Sequence, residues 1–455
     1  MSSKQAAPDP QSKCHLLLHG QTYAELNFYL CYLYFRTIIA SFCRFKADRK
    51  SVSERLYYRR EEKVARKKTT RTIEEINKKI RSGKAVVVRA DEMTEIVKKK
   101  GPGAAAAEID VVTTGTFSPM CSSGAFINFG HTKPALKASK VWFNNVPAYA
   151  GIAAVDVYLG ATEVTEDDPL NRVHPGQFKY GGGHVIHDLI AGKKVTLRAT
   201  SYGTDCYPRK EYEKRVTLSD LPYAMLLNPR NAYQNYNCAI NLTSKTIYTY
   251  MGVLKPKAGN ANYATSGYLS PLFNDPYYLT MGLGTRIFLG GAQGYIIGPG
   301  TQHNPGAKRT ENGVPMSGAG TLMVMGDMKE MDPRWVAGVS MLGYGCSLAM
   351  GLGIPIPILN EDMARYTGIS DEEIFTQIVD YGGDYPKGEA KPLSRINYSE
   401  LKSGTIKYNG KEIPTVPLSS HVRALEVADI LKSWIKKGDF LLTQPQVMLP
   451  TAKRS

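Results

Sequence analysis

A mixed α/β fold in one large domain is predicted by three observations. Amphipathic helices alternate with short apolar runs from Thr70 onward. Glycine-rich loops punctuate the later strand-like segments. A hairpin and a long capped helix close the chain. Alternation of this kind places helices against a sheet and ligands near strand ends.

The first helix is expected over Thr70–Ile80. Ile73, Ile76 and Ile80 share a face, Thr72 and Glu75 form a capping box, and Gly83 occupies the C′ position. Ala85–Val88 reads as a buried strand. A second helix is expected over Asp91–Lys99, stopped by Gly101-Pro102-Gly103, and a strand follows at Glu108–Val112. Val155–Leu159 and Lys194–Arg198 are strand-like, and Gly181-Gly182-Gly183 reads as a permissive loop. Glycines from Gly282 to Gly300 surround the apolar runs Ile287–Leu289 and Tyr295–Ile297. Thr405–Ile413 predicts a hairpin on an Asn409-Gly410 turn. Ser419 or Ser420 caps a helix that runs to Lys437, with Val422, Leu425, Leu431 and Ile435 inward and Gly438 as its stop.

The 455-residue chain is 43% hydrophobic and 22% charged, an ordinary globular balance. Its net charge of +16 draws heavily on the basic stretch from Arg44 to Arg81. Residues 1–69 are therefore expected to be a basic N-terminal extension, residues 70–450 the catalytic domain and residues 451–455 a frayed tail. Tyr23–Cys43 is apolar but interrupted by Glu25, Asn27 and Arg36, a poor membrane span. No RNA-binding signature accompanies the basic charge, so nucleic-acid binding ranks last. Seven scattered cysteines without CxxC spacing argue against a disulfide framework, a zinc ribbon or a resident iron–sulfur cluster, and a reducing cytoplasm fits best.

Two cysteines have settings suited to a reactive thiol. Cys206 lies in Ser201–Lys210, with Arg209 and Lys210 close behind and Asp205 beside it. Cys121 lies in Phe117–Gly124, just beyond a strand end, and would gain acidity if Ser122–Ala125 opened a helix. Cys238 and Cys346 sit among small and apolar residues, the usual setting of inert buried thiols. His184 and His187 are three apart but lack the glutamate and third ligand of a zinc-protease motif. No metal site is expected there, and His184 is read as a substrate contact or a plain hydrogen-bonding residue. The Gly290–His303 loop matches no phosphate-binding fingerprint. Either it forms structural turns or it brings Gln302 and His303 to a small-molecule pocket.

Thr114–Gly124, Ser201–Pro208, the Gly290–His303 loop, and the ending Pro417–Ser420 with Phe440–Thr443 resemble the homocysteine biosynthesis family. The resemblance covers roughly Thr70 to Pro450. It implies insertion of sulfur into L-aspartate semialdehyde through a cysteine persulfide, with two electrons giving L-homocysteine. Cys206 best matches the persulfide position. Cys121 is a second family cysteine, for sulfur relay or a transient disulfide. No cofactor is expected on this chain; the electrons would come from a separate ferredoxin-like iron–sulfur protein. The paired CBS modules of some relatives have no counterpart here.

Attack on an aldehyde creates an oxyanion, for which Ser122 and Ser123 are candidate donors. Arg209 or Arg198 is a candidate partner for the substrate carboxylate. A competing reading is a non-catalytic sulfur carrier or scaffold that docks an iron–sulfur protein. A direct relay between Cys121 and Cys206 needs Cα atoms within about 7 Å.

Overall fold

The computed structural model describes residues 71–451 except residue 166, all within the compact unit Thr69–Ser455. The expectations for residues 1–70, including the basic extension, and for the last four residues lie outside the described residues.

The architecture is mixed helix and sheet. A small sheet near the start pairs Val87–Arg89 in parallel with Val111–Thr113, which then meets Pro355–Pro357 antiparallel. The main body is a nine-stranded sheet whose pairings are all antiparallel. The α/β class is correct, and parallel pairing is confined to the small first sheet and to two strand pairs of a second, six-stranded sheet. Six further strands build a second sheet around Cys238–Ile240, and a four-stranded sheet carries Val195–Thr200 and Glu211–Val216.

The first helix, Ile73–Arg81, forms as its sequence directs. The Thr72–Glu75 capping box closes its N-terminus and Gly83 takes φ +67° beyond its end. The second, Ala90–Lys100, ends before Gly101. Pro102 then opens a third helix, Pro102–Glu108, because proline at the first helical position forfeits no bond. The strand expected from Glu108 accordingly begins at Val111. The Asn409-Gly410 hairpin forms between Thr405–Tyr408 and Lys411–Pro417, both turn residues having positive φ.

Ser420 caps the helix His421–Lys437, and Gly438 ends it in the left-handed conformation. Its inner face differs from the expected one. Val422 is 67% exposed, whereas Ala424, Val427, Ala428, Leu431 and Ile435 are buried. Val422 lies on the first turn, before the face that meets the sheet. Small residues let this helix approach closely: a Cβ on Gly115 would lie 2.1 Å from the Ala424 carbonyl oxygen.

Gly181–Gly183 is not a loop. It opens the helix Gly182–Ile190, where a Cβ on Gly182 would lie 1.8 Å from the Gly160 carbonyl oxygen and one on Gly183 would lie 2.0 Å from that of Ser347. The glycines serve close packing. Gly345–Gly353, against which this helix and the C-terminal helix both pack, is buried at every residue.

Candidate functional site

Cys121 sits in a turn where the chain changes partners within the large sheet. Thr116–Pro119 runs antiparallel to Ala349–Leu352, and the Met120 N–H donates to the Leu348 carbonyl at 2.7 Å. Met120–Ser123 closes the turn through a Ser123 N–H to Met120 carbonyl bond of 3.0 Å. Gly124–Asn128 then enters between Tyr223–Leu227 and Asp156–Gly160. The helix N-terminus envisaged at Ser122–Ala125 does not form, because these strand pairings claim the backbone of Gly124 and Ala125. Hydroxyl groups surround the sulfur instead. Ser347 Oγ donates to Cys121 Sγ at 3.3 Å, and the Tyr344 hydroxyl bonds to the same sulfur.

Cys121 lines a cavity of about 320 Å³. Thr116, Ser118 and Ser122 come from the same strand and turn, and Arg230, Ala232, Tyr233 and Tyr236 from the end of the Tyr223–Asn231 strand and the segment after it. Tyr250, Met251, Ala264 and Thr265 come from the second sheet and its connections, while Gln302 and Tyr344 come from two separate turns and Tyr385 opens a short 3-10 helix. No aspartate or glutamate is among the lining residues, and Arg230 supplies their formal charge. A volume of this size lies at the small end of ligand pockets and suits a small metabolite.

A bulge aims Arg230. Pairing of the Tyr223–Asn231 strand with Leu322–Asp327 shifts register between Asn228 and Asn231, and such bulges redirect side chains. Buried Asn228 holds the result in place. Its Oδ1 accepts from the Arg230 N–H at 2.8 Å and from Ser122 Oγ at 3.1 Å, and its Nδ2 donates to Ser123 Oγ at 2.8 Å. Three lining residues, Ala232 (φ +48°), Thr265 (φ +75°) and Gln302 (φ +66°), have left-handed backbone. For β-branched Thr265 this is a strained state, of a kind that gathers at functional sites.

One wall is phenolic. Tyr236 donates to the Tyr250 hydroxyl at 2.8 Å, Tyr250 donates to Tyr385 at 2.7 Å, and Tyr381 lies 3.0 Å from Tyr250. Burial, then the neighbouring phenols, push Tyr250 far above the ordinary tyrosine range, and Tyr236 likewise. The Tyr236 and Tyr250 hydroxyls are therefore neutral donors and acceptors at every physiological pH.

Cys121, Ser122 and Gln302 thus meet at one cavity. Ser123 is buried beneath it, donating to the Met120 carbonyl at 2.7 Å. The remaining expected site residues lie elsewhere. Cys206 is exposed on the loop joining Val195–Thr200 to Glu211–Val216, its sulfur 3.6 Å from Thr204 Oγ1. Arg209 lies over the Tyr212 ring and Arg198 over the Trp142 ring. His184 Nε2 meets Ser340 Oγ at 3.2 Å, with its ring stacked on Tyr180. His303 accepts from the Thr321 N–H through Nδ1 and reaches the Pro450 carbonyl through Nε2, which ties two loops together. Sequence reasoning missed Arg230, Tyr344 and the tyrosine wall. Asn228-Pro229-Arg230 ending an apolar run was the one available signal, since turn residues there break a strand.

A cysteine supported by hydroxyl donors, inside a small cavity of a mixed α/β domain, is the arrangement of a thiol-bearing enzyme that handles a small molecule. The sequence model of the family described as homocysteine biosynthesis enzyme, sulfur-incorporation, matches residues 85–442. An L-aspartate semialdehyde sulfurtransferase of Methanosarcina acetivorans is 51% identical over 376 residues, 82% of this chain and 71% of the relative. A protein of the same name from Methanocaldococcus jannaschii is 48% identical over 387 residues, 82% and 72% of the two chains. An uncharacterized protein of Methanothermobacter thermautotrophicus is 27% identical over 74% of this chain and 73% of its own. No solved structure gives a significant match. This chain belongs to the homocysteine biosynthesis enzyme family that incorporates sulfur.

Proposed function

We propose that this chain converts L-aspartate semialdehyde to L-homocysteine. In the net reaction the aldehyde oxygen leaves as water, a sulfide sulfur takes its place on carbon, and two electrons with two protons complete the balance. The observation that carries this reading is Cys121 Sγ, on the wall of a small cavity whose lining has one guanidinium and no carboxylate. The names of the two most similar relatives cited above supply the substrate.

In this reading sulfur travels as a cysteine persulfide: sulfide attacks a Cys206–Cys121 disulfide, leaving the persulfide on Cys206 and a thiolate on Cys121, and the disulfide re-forms when Cys121 displaces the sulfur that has added to the aldehyde carbon, so the two external electrons reduce only the substrate. Cys206, exposed on its hairpin loop, is accessible to a sulfur donor in solution and is proposed to carry the persulfide. Cys121, inside the cavity, is proposed to act where the aldehyde binds. A transient disulfide between them would require the hairpin loop to bring Cys206 to the cavity. The Tyr344 phenol, beside the Cys121 sulfur, is proposed as the donor to the oxyanion that forms when sulfur adds to the carbonyl carbon; the single Ser122 proton is already given to the Arg230 carbonyl and Asn228 Oδ1. The electrons are proposed to arrive from a separate ferredoxin-like iron–sulfur protein, and the reaction to take place in the cytoplasm.

The test is reconstitution. Purified protein, L-aspartate semialdehyde, sulfide and a low-potential reductant should yield L-homocysteine, detected by mass spectrometry. Absence of product, with an iron–sulfur donor also supplied, would leave only a sulfur-carrying or scaffolding role.

A further inference from the structure

We infer that Arg230 is the carboxylate-binding residue of this cavity, and that the ligand it selects is a short amino acid whose ammonium group rests against the tyrosine wall. The inference rests on the reading that the cavity is the substrate site, and it goes beyond it by naming what recognises the substrate.

Four observations meet here. The Arg230 guanidinium lines the cavity and pairs with no carboxylate among the described residues. A lone guanidinium facing a small cavity is suited to bidentate capture of a carboxylate. Its backbone is fixed at both ends: Asn228 Oδ1 takes its N–H, and its carbonyl accepts from Ser122 Oγ at 3.0 Å. The residue next to the cavity thiol therefore sets the position of the anchor, so ligand carboxylate and Cys121 share one rigid frame.

The cavity lining contains no acid for an ammonium ion. It does contain clustered phenols. Tyr233 and Tyr236 lie edge to face at 4.9 Å, and Tyr236 and Tyr250 at 6.1 Å. Aromatic faces and phenol oxygens hold cations without a formal negative charge. A zwitterionic headgroup thus finds a partner for each charge. The two arginines near Cys206 do not compete for this role, because Arg209 and Arg198 lie over aromatic rings on the four-stranded sheet.

The test uses non-reacting probes on the full chain. L-homoserine carries the same headgroup as the proposed substrate, 4-hydroxybutyrate keeps only the carboxylate, and 3-aminopropanol keeps only the amine. Calorimetry measures binding, and the rate of Cys121 alkylation by iodoacetamide measures protection. Arg230→Gln is expected to weaken L-homoserine and 4-hydroxybutyrate by roughly 10- to 100-fold, the loss of a charged hydrogen-bonded pair, and to leave 3-aminopropanol unchanged. Arg230→Lys, which keeps the charge but not the fork, should fall between. Circular dichroism and melting confirm that each variant is folded. Equal L-homoserine binding by wild type and Arg230→Gln overturns the assignment, as does failure of the wild type to bind L-homoserine. Arg230-dependent binding by a protein that forms no homocysteine would uphold the anchor while refuting the proposed reaction.

Discussion

The Ser122 hydroxyl donates to the Arg230 carbonyl at 3.0 Å, across 108 residues of chain. The bond links the turn that carries the cavity thiol to the strand end that carries the cavity cation. Buried Asn228 completes the link by bonding to Ser122, to Ser123 and to the Arg230 backbone. Asn228→Ala should cost about 3 kcal/mol in a denaturant titration, because it leaves buried polar groups without partners. Substrate affinity should fall with it. Asn228→Asp keeps the acceptor oxygen for Ser122 and Arg230 and should recover part of both losses. Similar affinity in both variants would mean that Asn228 supports the fold alone.

The two thiols of the proposed reaction should separate by task. Cys121→Ser should abolish homocysteine formation while Cys206 still gains the mass of one sulfur atom from a sulfane donor. Cys206→Ser should lose that gain. Intact and peptide mass spectrometry reads both outcomes, and loading of Cys121 in Cys206→Ser would move the persulfide into the cavity.

Alkylation should rank the four cysteines of the described residues. Cys206 is exposed and should react first with iodoacetamide, and half-buried Cys121 second. Burial pushes the Cys346 thiol up to about 11 and the Cys238 thiol up to about 12, so neither provides thiolate at neutral pH. Both should label only after denaturation. Early labelling of Cys238 would contradict its burial.

His184 gives the stability a pH dependence with a definite sign. Burial lowers its folded pKa from the ordinary 6.5. Below that value the unfolded chain binds a proton that the fold resists, so the unfolded state holds more protons and stability rises with pH. The contribution is complete above 6.5 and is lost as pH falls through 6.5 toward the lowered folded value. Half-buried His421 is shifted the same way, by burial first and then by Lys402. Unfolding midpoints measured between pH 7 and pH 5 should fall less steeply in His184→Gln than in wild type. An identical slope in the variant would refute the contribution of His184.

Local signals determined much of this protein. The Thr72–Glu75 capping box, the Asn409-Gly410 turn and the Ser420-to-Gly438 helix limits act within a few residues, so their chemistry is complete in the linear order. The resemblance of the two cysteine motifs likewise pointed to the family. Tertiary structure decided the rest. Whether Ser122–Ala125 becomes helix or strand depends on partners Tyr223–Leu227 and Asp156–Gly160, which no local window contains. Gly181–Gly183 looks permissive in sequence and is tightly packed in space, because the carbonyls that would meet a side chain come from Gly160, Glu163 and Ser347. The cavity is the clearest case. Cys121, Arg230, Tyr250, Gln302, Tyr344 and Tyr385 span most of the domain, and only the pairing of distant strands gathers them around one small volume.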